Sequence, residues 1–204
     1  MTPNPSPVRT PTPSGRKRNP QLDGLLLDAA LDILADIGPT ALTMDLVASR
    51  AGAGKATIYR RWSSKAELIT EALAHFRSTQ VDLGALPDTG TLRDDLLSLF
   101  RPQSPDEAER RMRIMTGLAS LLTHEQAFAA DVHTAVVQPW AQAHLALMQR
   151  AQVRGEISAT ADLLTLSQVV PAMAAYRSLI QRQPFDLAFL EPLVDGVLLP
   201  ALRP

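Results

Sequence analysis

Apolar residues recur at helical spacing along most of this sequence, and no segment alternates apolar and polar residues as a half-buried strand does. In the first such run, Leu22, Leu26, Ala30 and Ile33 share one helix face. Aromatic residues make up 4% of the chain and hydrophobic residues 46%. The core must therefore consist mainly of aliphatic side chains, which suit packed helices, and the sequence predicts an all-α protein.

Capping and turn residues define four helices in the first part of the chain. Gly38 and Gly52 are suited to end helices, and Thr43 is suited to cap the second helix. Ser64 and Glu67 have the spacing of a capping box at the start of the fourth. Short helices joined by a tight turn in this way form a helix-turn-helix unit. The predicted helices cover residues 22–37, 44–51, 55–62 and 65–76, the last continuing to about residue 82.

A turn-rich segment at residues 83–90 predicts a boundary between two domains. The helix-turn-helix domain covers residues 21–76, with the continuation of its last helix, and residues 83–204 form a second helical domain. Pro139 is expected to start or kink a helix, and Pro171 to kink one. The predicted helices of the second domain cover residues 91–100, 106–123, 125–153, 162–183 and 186–199.

Residues 1–20 are rich in Pro, Ser and Thr and carry Arg9, Arg16, Lys17 and Arg18. This composition predicts a disordered basic arm, which either reaches a neighbouring minor groove of DNA or serves as a solubilising tail. The chain has no Cys, no apolar run after its N-terminal charges and no run of about 18 apolar residues. We therefore expect a cytoplasmic protein with no disulfide, no cofactor and no membrane partner.

The net charge of −1 conceals a basic segment. Between Asp45 and Glu67 every charged residue is basic, whereas the second domain is slightly acidic. This uneven distribution favours contact with a polyanion through the first domain alone. The basic residues of the segment are Arg50, Lys55, Arg60, Arg61 and Lys65.

A helix that begins at Lys55 would bury Ile58 and Trp62 and direct its polar side chains outward. The major groove of double-stranded DNA admits such a helix, and Arg and Thr side chains read base edges there. Thr57 and Arg60 are therefore predicted to read the sequence. Contacts to phosphates fix the register of the helix without reading bases. Their predicted donors are Thr43, Lys55, Tyr59, Arg61 and Lys65.

The segment TMDLVASRAGAGKATIYRRWSSKAELITEAL, residues 43–73, closely resembles the DNA-binding signature of the tetracycline-repressor (TetR) family of bacterial transcriptional regulators. Gly54 departs from the family pattern, which usually has Ser or Ala at this position. The resemblance implies a homodimer on a palindromic operator, with repression released by an unidentified small-molecule effector. The matching features are Thr43, the Ala51-Gly52 turn, Lys55-x-Thr57-x-Tyr59, an aromatic at Trp62, and Ser64-Lys65.

The same resemblance implies a second domain that dimerises through its last two helices and holds an apolar ligand pocket. An alternative is that the same apolar residues form a core within one chain. The residues expected at the dimer interface are Leu163, Leu166, Val170, Leu187, Leu190, Val194 and Leu198. The residues expected to line the pocket are Met112, Met115, Leu118, Leu122, Trp140, His144, Met148, Met173, Tyr176 and Arg177.

Other functional classes fit the sequence less well. His124-Glu125 begins like a zinc-peptidase motif, but Phe128 stands where the second His is required. There is no phosphate-binding loop, no nucleophile elbow and no pattern of metal ligands, so we expect neither an enzyme nor a metal site. A non-specific architectural DNA-binding protein remains the alternative, although it would carry basic charge over its whole surface.

Overall fold

The computed structural model describes residues 20–100 and 104–203, and within these ranges every regular element is helical. The all-α prediction is confirmed. The predicted basic arm lies outside the described residues, except for Pro20. The α-helices are α1 (Pro20–Ala41), α2 (Met44–Arg50), α3 (Lys55–Tyr59), α4 (Lys65–Ser78), α5 (Leu92–Ser98), α6 (Pro105–His124), α7 (Ala129–Val132), α8 (Gln138–Val153), α9 (Leu163–Leu166), α10 (Val169–Ala175), α11 (Leu187–Leu193) and α12 (Leu199–Leu202).

The predicted caps of the first helices are present. Gly38 has a φ of 79° and interrupts α1, which any residue with a Cβ would do only under strain. The hydroxyl of Thr43 accepts a hydrogen bond from the N–H of Leu46 at 3.2 Å and caps α2. Ser64 caps α4 in the same way, through the N–H of Glu67 at 3.2 Å. The other half of the predicted capping box differs, because the carboxylate of Glu67 accepts from the N–H of Ser63 at 2.7 Å. These signals are local, which is why the sequence alone predicts them.

Two helices end earlier than predicted. α3 ends at Tyr59 rather than at residue 62, because the N–H of Arg61 bonds only three residues back, to Ile58 at 2.9 Å. α4 ends at Ser78 rather than near residue 82. There the side-chain amide of Gln80 donates to the carbonyl of Phe76 at 3.0 Å and satisfies one of the last carbonyls of the helix.

Proline residues interrupt the helices of the second half. Proline lacks an N–H, and its ring displaces the carbonyl four residues earlier. A wider π-helical turn, His133–Val137, accommodates this requirement just before Pro139, which lies in the first turn of α8. The α-helical hydrogen-bond pattern is interrupted at Ser167 and Gln168, just before Pro171, and this turn separates α9 from α10, although both residues keep right-handed helical dihedral angles. Two further π-helical turns, Tyr176–Ile180 and Val194–Leu198, follow α10 and α11.

The buried apolar residues form two clusters. The first joins α1–α4 to α6, α7 and the turn that follows, and the second joins α5 to α8 and to the helices from α10 onward. α6 therefore packs against α1, although the predicted domain boundary separates them in the sequence. Gly117 of α6 lies against the backbone of α1, where a Cβ would come within 2.7 Å of the carbonyl carbon of Leu34.

The expected dimer interface needs correction. Val170, Leu190, Val194 and Leu198 are at most 4% exposed and belong to the second cluster of the chain's own core. Leu163, Leu166 and Leu187 are partly buried and pack against it. The sequence could not separate these cases, because an apolar helix face has the same periodicity whether it packs on its own chain or on a partner.

Candidate nucleic-acid interface and ligand cavity

The unit formed by α2 and α3 is held together at its turn. Gly52 has a φ of 65°, which a residue with a side chain rarely adopts, and Ala53 then donates to the carbonyl of Ala48 at 2.8 Å. An ion pair of 2.5 Å between Lys55 and Asp45 joins the first turns of the two helices. The N-terminus of α2 therefore lies next to the start of α3, as a helix-turn-helix unit requires.

α3 has one buried face and one exposed face. Ile58 is 0% exposed and Trp62, just after the helix, is 1% exposed. The indole N–H of Trp62 donates to the carboxylate of Glu71 and ties this turn to α4. On the opposite face Tyr59 is 55% exposed, and Arg60 is exposed as well. The orientation predicted from the positions of Ile58 and Trp62 is therefore present.

Carboxylates from other parts of the chain neutralise most of the basic segment. Arg50 pairs with Asp36 of α1 at 2.6 Å. Arg61 pairs with Asp23 of α1, and its side chain is only 11% exposed. These partners lie 14 and 38 residues away in the sequence. The charge pattern within the segment therefore overstates how much positive charge is free to attract a polyanion.

The predicted DNA-contacting residues differ in whether their side chains already form ion pairs or hydrogen bonds within the protein. Within the described ranges, no carboxylate forms an ion pair with Arg60. Lys65 donates to the carbonyl of Pro39 at 2.6 Å and lies 3.5 Å from the carboxylate of Glu125. The guanidinium of Arg61 is occupied by Asp23 and by the carbonyl of Thr57 at 3.1 Å. The surroundings of Arg61 suit a structural role better than the predicted phosphate contact. The side chains of Thr43 and Lys55 are exposed, and Thr57 is half-buried.

A cavity of about 500 Å³ lies between the end of α4, α5, α6, α8 and α10. Four of the ten expected pocket residues line it: Met112, Met115, Trp140 and His144. The other six do not. Leu118 and Met148 are at most 1% exposed in the two cores, and Met173 packs against the second core. Leu122 and Tyr176 are exposed, and Arg177 lies over the ring of Phe189, 4.5 Å from its centroid.

Arg111 and Gln80 also line the cavity, and the sequence reasoning missed both. A signal for Arg111 was available, because it precedes Met115 by four residues and Leu118 by seven. It therefore begins the same helical stripe that indicated a pocket. Charged residues are rarely buried, so a charged residue at the start of an otherwise apolar stripe indicates a cavity more strongly than a further apolar residue does. Gln80 comes from the turn after α4, and nothing in its own segment indicates a pocket.

His144 forms a neutral part of the cavity wall. Burial lowers its pKa from 6.5 to about 4, although a contact of 2.7 Å with the carbonyl of Trp140 opposes the shift. Because a carbonyl oxygen can only accept, Nδ1 must carry the proton of the neutral ring. Nε2 is then left as a hydrogen-bond acceptor.

The lowered pKa of His144 predicts a loss of stability in mild acid. Below pH 6.5 the imidazole takes up a proton in the unfolded chain but stays neutral in the folded protein until about pH 4. The free energy of unfolding should therefore fall as the pH is lowered from 6.5 towards 4, by about 3 kcal/mol in all for this group. Thermal denaturation between pH 7 and 5 would show a flatter profile for His144→Gln than for the wild type. Parallel profiles would contradict the assigned ionisation state.

No group of three or more His or acidic side chains converges as a metal site in the described part of the chain. One stretch, Leu163–Ile180, is long and apolar enough by composition to cross a membrane, and 17% of it is buried. The break between α9 and α10 falls inside this stretch. Length and composition are weak evidence for a membrane span, since an interface helix of a globular protein meets the same criteria.

Two family models match the chain. The model for bacterial regulatory proteins of the tetR family matches residues 26–72, and the model for a tetracyclin repressor-like C-terminal domain matches residues 86–197. The first contains α2 and α3 together with the exposed residues described above. The second contains most of the lining of the cavity, including Arg111 and His144.

Similar proteins and structures agree with these matches. The chain is 36% identical over 180 residues to the DNA-binding transcriptional repressor TetR of Mycobacteroides abscessus, covering 88% of this chain and 93% of that protein. It is 36% identical over 186 residues to an HTH-type transcriptional regulator of Mycobacterium tuberculosis, with 87% and 86% covered. A TetR transcription regulator of Haloarcula marismortui has the same fold, with a TM-score of 0.70 at 15% identity over 91% of this chain and 100% of that chain. A TetR-family regulator of Haemophilus influenzae gives 0.59 at 15% identity, over 93% and 100%.

Proposed function

The chain belongs to the TetR family of helix-turn-helix transcriptional regulators, and from this premise we propose that it is a homodimeric repressor released from a palindromic operator by a small molecule. The observation that carries the DNA-binding part is the exposed face of α3. The side chains of Tyr59 and Arg60 are exposed, whereas Ile58 and Trp62 are buried and anchor the helix on the core. A helix that is anchored by buried residues and exposes an Arg with no ion pair among the described residues fits the major groove of DNA.

We assign the roles of the DNA-contacting residues from the exposure of their side chains and from the ion pairs and hydrogen bonds that these side chains already form. Arg60 forms no ion pair with any described residue, and we assign it to base edges together with Thr57. Thr43, Lys55 and Tyr59 are exposed around the start of the helix and are assigned to phosphates. Lys55 would exchange its ion pair with Asp45 for a phosphate contact. Lys65 keeps its bond to Pro39, so its contribution to phosphate binding is a long-range electrostatic one.

Replacing Arg60 by Ala should relax sequence preference. We expect the affinity for the operator to fall about tenfold to a hundredfold, with a much smaller loss on random DNA, because a base contact is worth about 1–3 kcal/mol. Lys65→Ala should weaken binding to all sequences alike. The measurement is fluorescence anisotropy with operator and random duplexes at the same salt concentration.

Arg77→Ala is the matched control for Arg60, since Arg77 is exposed near the far end of α4 and carries the same charge. It should leave the ratio of operator to random affinity unchanged. An equal loss of that ratio in Arg60→Ala and Arg77→Ala would show that Arg60 acts only through its charge.

The homodimer is supported by an apolar surface that the chain leaves uncovered. Its residues recur at every fourth position along α9, α10 and the following turn, and all are exposed and apolar except for the polar Gln168: Leu164, Gln168, Ala172, Tyr176 and Ile180. Leu164 is 67% exposed, Tyr176 46% and Ile180 70%, and Val197 near the C-terminus is 52% exposed. An exposed apolar face of this kind marks an interface. A second copy packed on this face would cover it, and binding to a palindromic operator would then require the two copies of α3 to lie roughly 34–36 Å apart or somewhat further.

Release by a ligand requires a connection between the cavity and α3. α6 carries Arg111, Met112 and Met115 in the cavity wall, and a few residues later Gly117 packs on the backbone of α1. After α6, Asp131 accepts a hydrogen bond from Thr70 of α4 at 2.9 Å. A ligand that favours one position of α6 would therefore shift α1 and α4 and, with them, the spacing of the two copies of α3.

We also propose where the protein acts and what it binds. It acts in the cytoplasm, with double-stranded DNA, a second copy of itself and one small-molecule effector as its partners, and with neither a cofactor nor a membrane. The two domains are assigned to residues 21–76, with the end of α4, and 83–204. DNA binding that depends on salt alone would instead identify a non-specific architectural protein.

A further inference from the structure

In the described part of the chain, the cavity wall contains an arginine that forms no ion pair with a carboxylate. Arg111 lines the cavity, and its Nη2 donates to the side-chain oxygen of Gln80 at 2.5 Å. Its guanidinium carbon lies 5.8 Å from the centroid of the Trp140 ring. The nearest partners of this cation are thus a neutral amide and an aromatic face, which orient the guanidinium but do not neutralise it.

The neighbouring arginines of α6 show the contrast. Arg110 pairs with Asp32 at 2.8 Å, and Arg113 pairs with Glu109 at 3.0 Å. Every Asp and Glu side chain of the chain lies in the described ranges, and none of them forms an ion pair with Arg111. Burial lowers the pKa of Arg111, because desolvation disfavours the charged form of the guanidinium.

The other ionisable groups that line the cavity, Asp82 and His144, do not serve as a counter-ion for Arg111. Asp82 lines the cavity but is exposed, and its carboxylate accepts from the N–H of Gly84 at 2.9 Å. His144 is neutral at physiological pH because its pKa is about 4, and its Nε2 is an acceptor. Most of the remaining lining is apolar and includes Met112, Met115 and Phe185.

We propose that the cavity binds a small apolar carboxylic acid, with its carboxylate on the guanidinium of Arg111 and its apolar body against Met112, Met115 and Trp140. The inference rests on the proposed ligand-responsive function and names the chemical class of its ligand. The planar fork of Arg111 can hold both carboxylate oxygens, with Gln80 fixing its orientation. Nε2 of His144 can accept from a hydroxyl elsewhere on the ligand. A volume of about 500 Å³ suits one molecule of this kind.

The test is calorimetric titration of the full-length protein with probes that differ only in their head group. Decanoate, decanol and decylamine provide a flexible series, and 2-naphthoate and 2-naphthol a planar pair. Within at least one series the acid should bind at least about tenfold more tightly than its neutral or cationic counterpart, as a charge-assisted hydrogen bond implies. Equal affinities for acid and alcohol in both series, or no binding of either acid, would overturn the proposal.

Variants of Arg111 assign the preference to this residue. Arg111→Gln should lower the affinity for the preferred acid about tenfold to a hundredfold and leave the affinity for the matching alcohol unchanged. Arg111→Lys should recover part of the loss, because it restores the charge without the fork. Arg113→Gln is the matched control on the same helix and should change neither affinity. Arg111→Gln should also unfold at the same temperature as the wild type or higher, because a partly buried charge with no carboxylate partner is removed. Unaltered selectivity for the acid in Arg111→Gln would contradict the assignment.

A separate measurement keeps this proposal distinct from the function on which it rests. The preferred acid is added to the complex of the protein with its operator, and release is followed by anisotropy. Selective binding without release would contradict release by this ligand class but leave the cavity assignment intact. Release without dependence on Arg111 would support a ligand-responsive repressor and contradict the carboxylate site.

Discussion

Replacing Gly117 by Ala is expected to lower the free energy of unfolding by about 1–3 kcal/mol or more. The added Cβ would lie against the carbonyl oxygen of Leu34, within 2.7 Å of its carbonyl carbon and 2.9 Å of the Cα of Ala35. These are backbone atoms of α1, so no side chain can rotate away, and the two helices must separate. Thermal denaturation should show a decrease of several degrees, since about 1 kcal/mol corresponds to roughly 2–4 °C for a chain of this size.

Gly24→Ala is the matched control, because Gly24 is also a helical glycine but its added Cβ would meet only a ring carbon of His75 at 4.0 Å. It should raise the free energy of unfolding by roughly 0.5–1 kcal/mol, the usual advantage of Ala over Gly in a helix. If Gly117→Ala were stabilising to the same degree, α1 and α6 would not be in the close contact on which the proposed coupling depends.

Introducing two acidic residues on the exposed apolar face should convert the proposed dimer to a monomer. The double variant Leu164→Glu and Ile180→Glu would bring four carboxylates into one two-fold interface, where like charges repel and lose their hydration. Binding to a palindromic operator should fall by about a hundredfold or more, because each half-site is then bound separately. Analytical ultracentrifugation and operator titration provide the two measurements.

Val153→Glu is the control for this pair, since Val153 is 90% exposed at the end of α8 and is not one of the residues that define the face. It should remain a dimer with unchanged operator affinity. The unfolding temperature of the double variant should lie within a few degrees of that of the wild-type monomer, because substitutions of exposed residues have small effects on stability. A double variant that sediments as a dimer would show that the apolar face of α9 and α10 is not the interface.

Local features of the sequence predicted the fold well. Thr43, Ser64 and Gly38 act within one helical turn of their own positions, and all three are found in their expected roles. The apolar positions Ile58 and Trp62 fixed the orientation of α3 for the same reason, since their spacing alone determines which face is buried.

Features that depend on contacts between distant segments were missed. The ion pair of Arg61 with Asp23 crosses 38 residues, so the charge pattern around Arg61 indicated a free cation where the fold provides a neutralised one. Val194 and Leu198 looked like interface residues because periodicity does not say which surface covers an apolar face. The cavity was predicted only in part, since its lining comes from segments that are distant in the sequence, and Gln80 in particular lies in a turn with no local signal of a pocket.

The most direct test of the account is selection of DNA from a random pool by the full-length protein, followed by titration of the selected sequence at several salt concentrations. The account predicts a palindromic consensus, bound at least about a thousandfold more tightly than random DNA at physiological salt, by one dimer per site. Failure to select a consensus, with an affinity set by salt concentration alone, would contradict it. α3 would then be a general phosphate-binding element, and the protein would not be a site-specific repressor.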